Sequence, residues 1–246
     1  MKFIFPVRSI FISLLIPFLF LFGPTAASAQ SNFYKFGIGA GAGATQSFAD
    51  VYNKGTSIAG YAAVDFYFTP YFNIGLEYQK GEIRGGDEHD ANVYYREFSN
   101  QYQAIILHSK VQLGTFVDYQ RSGFLNAIRG LYVGTGLGVI ENNHRFSIRR
   151  SEILNETFPG LDYSIEAFLP LNLGINIYYP DRVGSNRLVL NINYQTNIAF
   201  GEGLDSYDNS IKTFKTGMPD MYLFLSAGLR YHFGIIGLSR KSFRKY

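Results

Sequence analysis

The amino-acid sequence predicts an all-β fold, a closed eight-stranded antiparallel transmembrane β-barrel of the up-and-down type. Three observations predict it. Apolar and polar residues alternate through eight stretches, aromatic residues make up 17% of the chain, and the connections alternate between long and shorter segments. An alternation of period two places successive side chains on opposite faces of a strand. Each predicted strand therefore has one apolar face and one polar face.

Residue composition excludes several other classes of protein. The 246 residues contain no cysteine, which excludes a disulfide framework, a thiolate zinc site and a cysteine nucleophile. Charged residues make up 17% of the chain, against roughly 25% in an average soluble domain. The net charge of +3 is too small to indicate a nucleic-acid partner. A mean hydropathy of -0.01 is too low for a bundle of membrane helices.

The first 29 residues have the features of a secretory signal peptide. Lys2 and Arg8 supply positive charge, and an apolar stretch follows over 10–22. That stretch is too short for a transmembrane helix, which needs about 20 residues. Small residues at 27–29 (Ala-Ser-Ala) then form a cleavage site before Gln30. We expect residues 1–29 to be removed on export and residues 30–233 to form the barrel.

Eight stretches carry the alternation that defines the predicted strands. It is clearest over 161–177, where every odd position is apolar and Phe168 is the only strongly apolar even position. Pro170 interrupts this strand and predicts a bulge or a missing ladder bond. The predicted strands span 34–44, 58–68, 72–80, 103–117, 131–140, 161–177, 188–200 and 221–233.

The connections separate the two ends of the predicted barrel. Long polar connections follow the first, third, fifth and seventh strands, at 45–55, 81–101, 141–160 and 201–220. The other three, at 69–71, 118–130 and 179–187, are shorter on the whole. Outer-membrane barrels have short periplasmic turns and long extracellular loops. We therefore expect the apolar faces to contact lipid and the polar faces to line the lumen. Aromatic residues near strand ends should form interfacial girdles: Tyr34, Phe68, Phe72, Phe200, Tyr231 and Phe233.

A soluble barrel would show the same alternation with its apolar faces turned inward. Such a protein would be a ligand-binding barrel in the periplasm. Charged residues are scarce within the strands, and the first segment directs the chain to the cell envelope. Both observations favour the membrane barrel.

The last predicted strand carries a family resemblance. The stretch 226–233, Ser-Ala-Gly-Leu-Arg-Tyr-His-Phe, resembles the final strand of Gram-negative outer-membrane barrels. Over 33–233 the chain is similar to porin-family and OmpA-like eight-stranded barrel domains. The resemblance implies an outer-membrane location, and recognition of Gly228, Leu229, Tyr231 and Phe233 by the barrel-assembly machinery. Residues 234–246 are too few for a peptidoglycan-binding domain, and we expect them to form a short basic periplasmic tail.

Five charged residues fall on the inward faces and make up the candidate site. They are Asp65, Glu77, Lys110, Glu166 and Arg230. An eight-stranded barrel is just wide enough for side chains to fill, and unpaired buried charges are costly. We therefore expect these residues to pair in a lumen network, with the two carboxylates of the second and third strands opposite or diagonal. A structural plug is favoured over a gate or a narrow ion path.

The sequence favours a structural or surface-binding role, with at most narrow passive diffusion. An outer-membrane lipid-modifying enzyme is an alternative, but it needs a Ser-His-acid set, and the spacing of the four histidines specifies none. The acidic run around His89 is expected to be solvated. No catalytic residue, cofactor or metal is predicted. Expected partners are outer-membrane lipids, the barrel-assembly machinery and an extracellular ligand at the long loops. Nucleic acid is not expected, and we expect a monomer.

Overall fold

The structure is a computed structural model, and its eight long strands form one barrel. It describes residues 31–48, 54–86, 97–119, 122–148, 150–151, 156–157, 161–180, 186–201, 203–206 and 220–239. The predicted signal peptide, residues 240–246 and much of the long connections, including the His89 run, lie outside the described residues. The barrel strands are β1 (Ser31–Phe48), β2 (Thr56–Thr69), β3 (Phe72–Gly85), β4 (Glu97–Gln112), β5 (Leu131–Ile148), β6 (Tyr163–Pro180), β7 (Asn186–Ala199) and β8 (Met221–Ser239).

Antiparallel pairing closes the sheet. Each strand pairs with its neighbours in sequence, and β1 pairs with β8. One circuit through paired residues runs Phe36, Phe66, Ile74, Ser109, Thr135, Leu171, Thr196, Leu223, Gln46. The circuit returns to β1 ten residues beyond its start. With ordinary strand spacings, this stagger corresponds to a strand tilt of about 40°. The predicted closed eight-stranded antiparallel barrel is confirmed.

The two faces of the wall differ in polarity. Leu76, Leu107 and Leu229 point outward and are 54–57% exposed. Asn191 and Gln195 point inward and are buried. The outer wall is thus apolar, and the interior contains most of the polar side chains of the strands together with one apolar cluster. This arrangement contradicts the alternative of a soluble barrel whose apolar strand faces all turn inward.

A chain of aromatic rings surrounds part of the outer wall at the end that carries the short connections. We call it the aromatic girdle. Neighbouring ring centroids lie 5.0–6.5 Å apart. Its members, on β8, β1, β2 and β3, are Tyr231, Phe233, Phe36, Phe66, Phe68 and Phe72.

The prediction for β4 is wrong at both ends. The strand begins at Glu97 rather than 103, so Phe98 lies inside the barrel and not in a loop. It stops at Gln112 because the chain turns beneath the ring of Tyr71. Gly114 lies in a 3₁₀ turn there, and a Cβ atom at this position would be 2.5 Å from that ring. An unpredicted helix, α1 (Gly123–Ile128), follows in the same connection.

β8 is longer than predicted. It continues to Ser239, so residues 234–239 belong to the barrel wall rather than to a tail. A bulge makes the extension possible. Gly234 and Ile235 together oppose Lys35 of β1, and Gly234 has a φ of +84° that favours glycine.

Pro170 leaves the register of its strand unchanged. Pairing between β5 and β6 is absent at Leu169 and Pro170 and resumes in the same register. A missing N–H donor explains this gap. The prediction of a missing ladder bond is therefore confirmed, and the alternative prediction of a bulge is wrong. A separate two-residue ladder joins Arg150–Ser151 to Glu156–Thr157.

Candidate functional site

Four of the five predicted lumen charges meet in one cluster inside the barrel. We call it the lumen charge network: Asp65, Glu77, His108, Lys110 and Arg230. All five residues are at most 3% exposed. Arg230 Nε lies 2.9 Å from Asp65 Oδ2, and Lys110 Nζ lies 3.7 Å from Glu77 Oε2. Each carboxylate has a cation beside it, which offsets part of the cost of burying it.

His108 lies between the two carboxylates. Its Nε2 is 3.0 Å from Asp65 Oδ1, and its Nδ1 is 3.8 Å from Glu77 Oε2. Asn73 also donates to Asp65 Oδ1. Sequence reasoning left His108 out of the lumen charges. The signal was present, because His108 and Lys110 are two residues apart on one strand and therefore share a face.

The two carboxylates are diagonal rather than opposite. Asp65 pairs with Gly75, and Glu77 pairs with Ala63. A Cβ atom at Gly75 would lie 2.5 Å from Asp65 Oδ1 and 2.7 Å from His108 Nε2. The missing side chain therefore leaves room for the contact between the aspartate and the histidine.

Two glycines of β1 let Arg230 reach across from β8 to β2. A Cβ atom at Gly37 would lie 3.4 Å from Arg230 Cδ, and one at Gly39 would lie 3.4 Å from Arg230 Cβ. Side chains at these positions would occupy the path of the arginine. The absence of a side chain at these two glycines therefore makes room for a large side chain in the lumen.

Amide side chains fill the lumen beside the charges. Asn191 donates to Asn176 Oδ1 and Asn193 to Asn172 Oδ1, each at 2.8 Å. Tyr132 Oη donates to Asn193 Oδ1 at 2.9 Å and accepts from Asn191 Nδ2 at 2.9 Å. These groups hydrogen-bond to one another, and such bonds offset the desolvation penalty of burying polar groups.

Tyrosines close the lumen at the end with the short connections. The rings of Tyr67 and His232 lie 4.7 Å apart, and Arg230 Nη1 donates to Tyr67 Oη at 3.4 Å. A cavity of about 10 Å³ remains next to Tyr67, Tyr178 and His232. That volume is at the lower limit for a single water molecule.

The connection between β4 and β5 covers this end. Tyr119 packs against Tyr71 with ring centroids 5.5 Å apart. The Arg129 guanidinium lies 5.5 Å from the Tyr119 ring and 5.4 Å from the Tyr178 ring. Burial raises the pKa of the Tyr71 and Tyr119 phenols. Both phenols therefore stay protonated and uncharged in this cover.

A short segment of the β7–β8 connection enters the opposite end of the lumen. We call residues 203–206 the mouth segment. Leu204 is fully buried, Asn100 Nδ2 donates to its carbonyl oxygen at 3.1 Å, and His144 Nε2 lies 2.9 Å from the Gly203 carbonyl oxygen. Glu166 Oε1 accepts from the Gly203 N–H at 2.6 Å. Glu166 therefore holds the mouth segment, and the expectation that it joins the other four lumen charges is wrong.

Aromatic and aliphatic side chains fill the space between the mouth segment and the lumen charge network. Tyr102 and Tyr222 have ring centroids 5.3 Å apart, and Tyr222 lies 6.1 Å from Phe168. Ile83 and Ile140 are fully buried in the same cluster. Sequence reasoning missed this cluster because the alternation assigned the inward faces to polar residues.

The residues of the predicted assembly signal lie on β8. Leu229, Tyr231 and Phe233 point outward, and Gly228 faces the Tyr61 hydroxyl, to which a Cβ atom would approach within 2.3 Å. Among the described residues, no group of three or more His, Asp or Glu side chains is arranged to hold a metal ion. No helix within the described ranges is long and apolar enough to cross a membrane.

Comparison with known proteins gives structural neighbours only. No protein-family model and no curated protein matches the chain. Neisserial surface protein A is similar at 12% identity and a TM-score of 0.46, covering 81% of this chain and 97% of that one. The attachment invasion locus protein Ail of Yersinia pestis, solved with the heparin analogue sucrose octasulfate, is similar at 12% identity and a TM-score of 0.41, covering 81% and 99%. OprG of Pseudomonas aeruginosa is similar at 8% identity and a TM-score of 0.40, covering 82% and 98%.

These neighbours are eight-stranded outer-membrane β-barrels, and this chain has the same number of strands. All three TM-scores are below 0.5.

Proposed function

We propose that the protein is an outer-membrane β-barrel with a closed lumen and a structural or surface-binding role. The apolar outer wall supports a membrane location, because lipid is the solvent that such a wall requires. The aromatic girdle supports it further, since aromatic rings concentrate at membrane interfaces. On this proposal the short connections lie in the periplasm and the long ones outside the cell.

The closed lumen is supported by one observation: side chains and the mouth segment fill the barrel along its whole axis. Tyr67 and His232 fill the periplasmic end, the lumen charge network and the amides fill the middle, and the mouth segment fills the outer end. An open pore would need a water-filled path past all three. The narrow-diffusion alternative therefore requires side chains to move.

Conductance in planar lipid bilayers tests this proposal. The wild-type barrel should give no steady open-channel current, because every level of the lumen is occupied. A Tyr67→Ala, Tyr71→Ala double variant removes two rings of the periplasmic closure and serves as a partly opened comparison. Steady wild-type current at the level of a water-filled pore would overturn the closed lumen.

A non-enzymatic role is part of the proposal. His108, His144 and His232 are all buried inside the barrel, whereas lipid hydrolysis needs a nucleophile and base that reach lipid. Lipase or acyltransferase activity of the purified protein, lost on substitution of one of these histidines, would favour the enzyme alternative instead.

Recognition by the barrel-assembly machinery belongs to the same proposal. Leu229, Tyr231 and Phe233 keep the outward alternation of a terminal signal strand, although β8 continues six residues beyond Phe233. Phe233→Ala should lower the assembled fraction in cells while leaving refolding into detergent unchanged. Equal assembly of the variant would remove this residue from the signal.

Extracellular binding would use the long connections. Deletion of residues 87–96, with Gly86 joined to Glu97 through a short glycine linker, tests the connection between β3 and β4. Loss of surface binding with an intact barrel would support a binding role, and unchanged binding would remove this loop from it.

A further inference from the structure

A bulge at the periplasmic end of β7 turns an arginine toward the outer wall. Asn186 pairs with Pro180 and Leu188 pairs with Tyr179, so Arg187 is the extra residue of a β-bulge. Regular alternation would place Arg187 on the inward face, together with buried Val189. Bulges re-aim side chains in this way, and Arg187 is exposed.

Two tyrosines from the neighbouring strands hold the arginine. Arg187 Nη2 and Nε donate to Tyr34 Oη at 2.6 and 2.9 Å, and Arg187 Nη1 donates to Tyr231 Oη at 3.3 Å. The guanidinium carbon also lies 4.9 Å from the centroid of the Tyr34 ring. The contacts join β7, β8 and β1, so three strands fix the orientation of one cation.

The surroundings of Arg187 are those of a lipid interface. Tyr231 belongs to the aromatic girdle and stacks on Phe233, with ring centroids 6.5 Å apart. Girdle rings lie at the level of the lipid headgroups. On β8 apolar side chains lie on both sides of this level: Leu229 is available to acyl chains above it, and Ile236 and Leu238 are exposed at and beyond it.

The chemistry of the three residues matches a phosphate group. A guanidinium of fixed orientation recognises phosphate oxygens better than a mobile ammonium does. Each phenol accepts a hydrogen bond from Arg187, and its own O–H hydrogen can be donated to a further acceptor. One positive charge and two hydroxyl donors are thus presented together at headgroup level.

We propose that Arg187, Tyr34 and Tyr231 form a binding site for the phosphate of a phospholipid in the periplasmic leaflet. This inference rests on the proposed membrane location of the barrel. The bulge is the device that creates the site, because a regular β7 would direct the arginine into the lumen.

Native mass spectrometry of the purified full-length barrel in non-ionic detergent tests the site. The probe is dioleoylphosphatidylglycerol, and dioleoylglycerol serves as the lipid with the same acyl chains but no phosphate. The wild type should retain the phospholipid and not the diacylglycerol. Arg187→Gln should weaken phospholipid binding about tenfold, the loss expected for one charge-assisted contact. The Tyr34→Phe, Tyr231→Phe double variant should weaken it by a smaller factor.

Arg84→Gln is the matched control. Arg84 is also exposed, and its Nε lies 2.8 Å from Glu82 Oε1. It differs from Arg187 in its position, because it lies on β3 at the end of the barrel that carries the long connections. Its substitution should leave lipid binding unchanged. Equal loss in Arg84→Gln and Arg187→Gln would mean that any surface arginine attracts the lipid, and it would overturn the site.

Two further arms separate the remaining outcomes. Excess inorganic phosphate should not displace the lipid; full displacement would mean that the site takes free phosphate, and it would contradict the lipid assignment.

Each sample is also run unheated and boiled in SDS. A band shift with no loss of lipid in Arg187→Gln refutes this inference alone, whereas no shift in the wild type refutes the membrane barrel on which it rests.

Discussion

Removing Arg230 should strongly destabilise the barrel. Arg230 is 2% exposed and pairs with Asp65, which is 1% exposed. Arg230→Ala removes the cation nearest the aspartate, leaves Asp65 Oδ1 in contact with His108 and Asn73, and opens a space between β8 and β2. Breaking a buried ion pair by deleting one partner costs about 3 to 5 kcal/mol. We expect a loss of that size in the free energy of unfolding.

Urea unfolding of the detergent-refolded barrel measures this loss. The chain has 19 tyrosines and no tryptophan, so tyrosine fluorescence and the change in gel mobility can follow the transition. Arg84→Ala is the control, because the Arg84–Glu82 pair has nearly the same separation, 2.8 Å, but an exposed arginine. Exposed pairs contribute little, so Arg84→Ala should leave the midpoint unchanged.

A second variant separates charge from packing. Arg230→Met with Asp65→Asn removes both charges and keeps most of the side-chain volume. It should recover most of the stability lost in Arg230→Ala, since replacing both partners of a buried pair is often close to neutral. If Arg230→Ala and Arg84→Ala unfold at the same urea concentration, the lumen charge network does not stabilise the barrel as argued.

Three further substitutions test other parts of the structure. Gly138→Ala puts a Cβ atom 2.3 Å from a buried aromatic ring, and it should lower the free energy of unfolding by about 1 to 3 kcal/mol in the same urea assay. Gly60→Ala is its control and should be tolerated, because its Cβ atom would be 3.6 Å from its nearest neighbour. Leu107→Arg, midway along β4 between the girdle and Gln103, should cost about 2 to 4 kcal/mol in lipid vesicles, whereas Gln103→Arg should cost little; equal effects would contradict a lipid-facing wall. Glu166→Gln should speed hydrogen exchange at the mouth segment, because the amide accepts the Gly203 N–H less strongly, and unchanged exchange would show that the other contacts suffice.

The wall of the barrel could be predicted from the sequence because its pattern is local. Alternation reports which face of a strand each residue occupies, so the outward Leu107 and the inward Lys110 are both assigned correctly. The short turn between β2 and β3 also predicts that Asp65 and Glu77 lie opposite or diagonal, and the register of the two strands makes them diagonal. These features need no information about the opposite side of the barrel.

Contacts across the lumen depend on the stagger between strands, which no local pattern specifies. Glu166 shares the inward face with Asp65 but holds the Gly203 N–H near the outer end. His108 could have been assigned to the network from its spacing to Lys110. The bulge at Arg187 could not have been assigned, because it breaks the alternation on which the strand prediction depends.

The electrophoretic mobility of the outer-membrane fraction in SDS, unheated against boiled, tests the central claim most directly. A closed membrane barrel resists SDS until it is heated, because every strand is paired and no edge is open to the detergent. We predict that the protein is found in the outer-membrane fraction and that its band shifts on boiling. Recovery in the soluble periplasmic fraction with no shift would contradict an outer-membrane barrel.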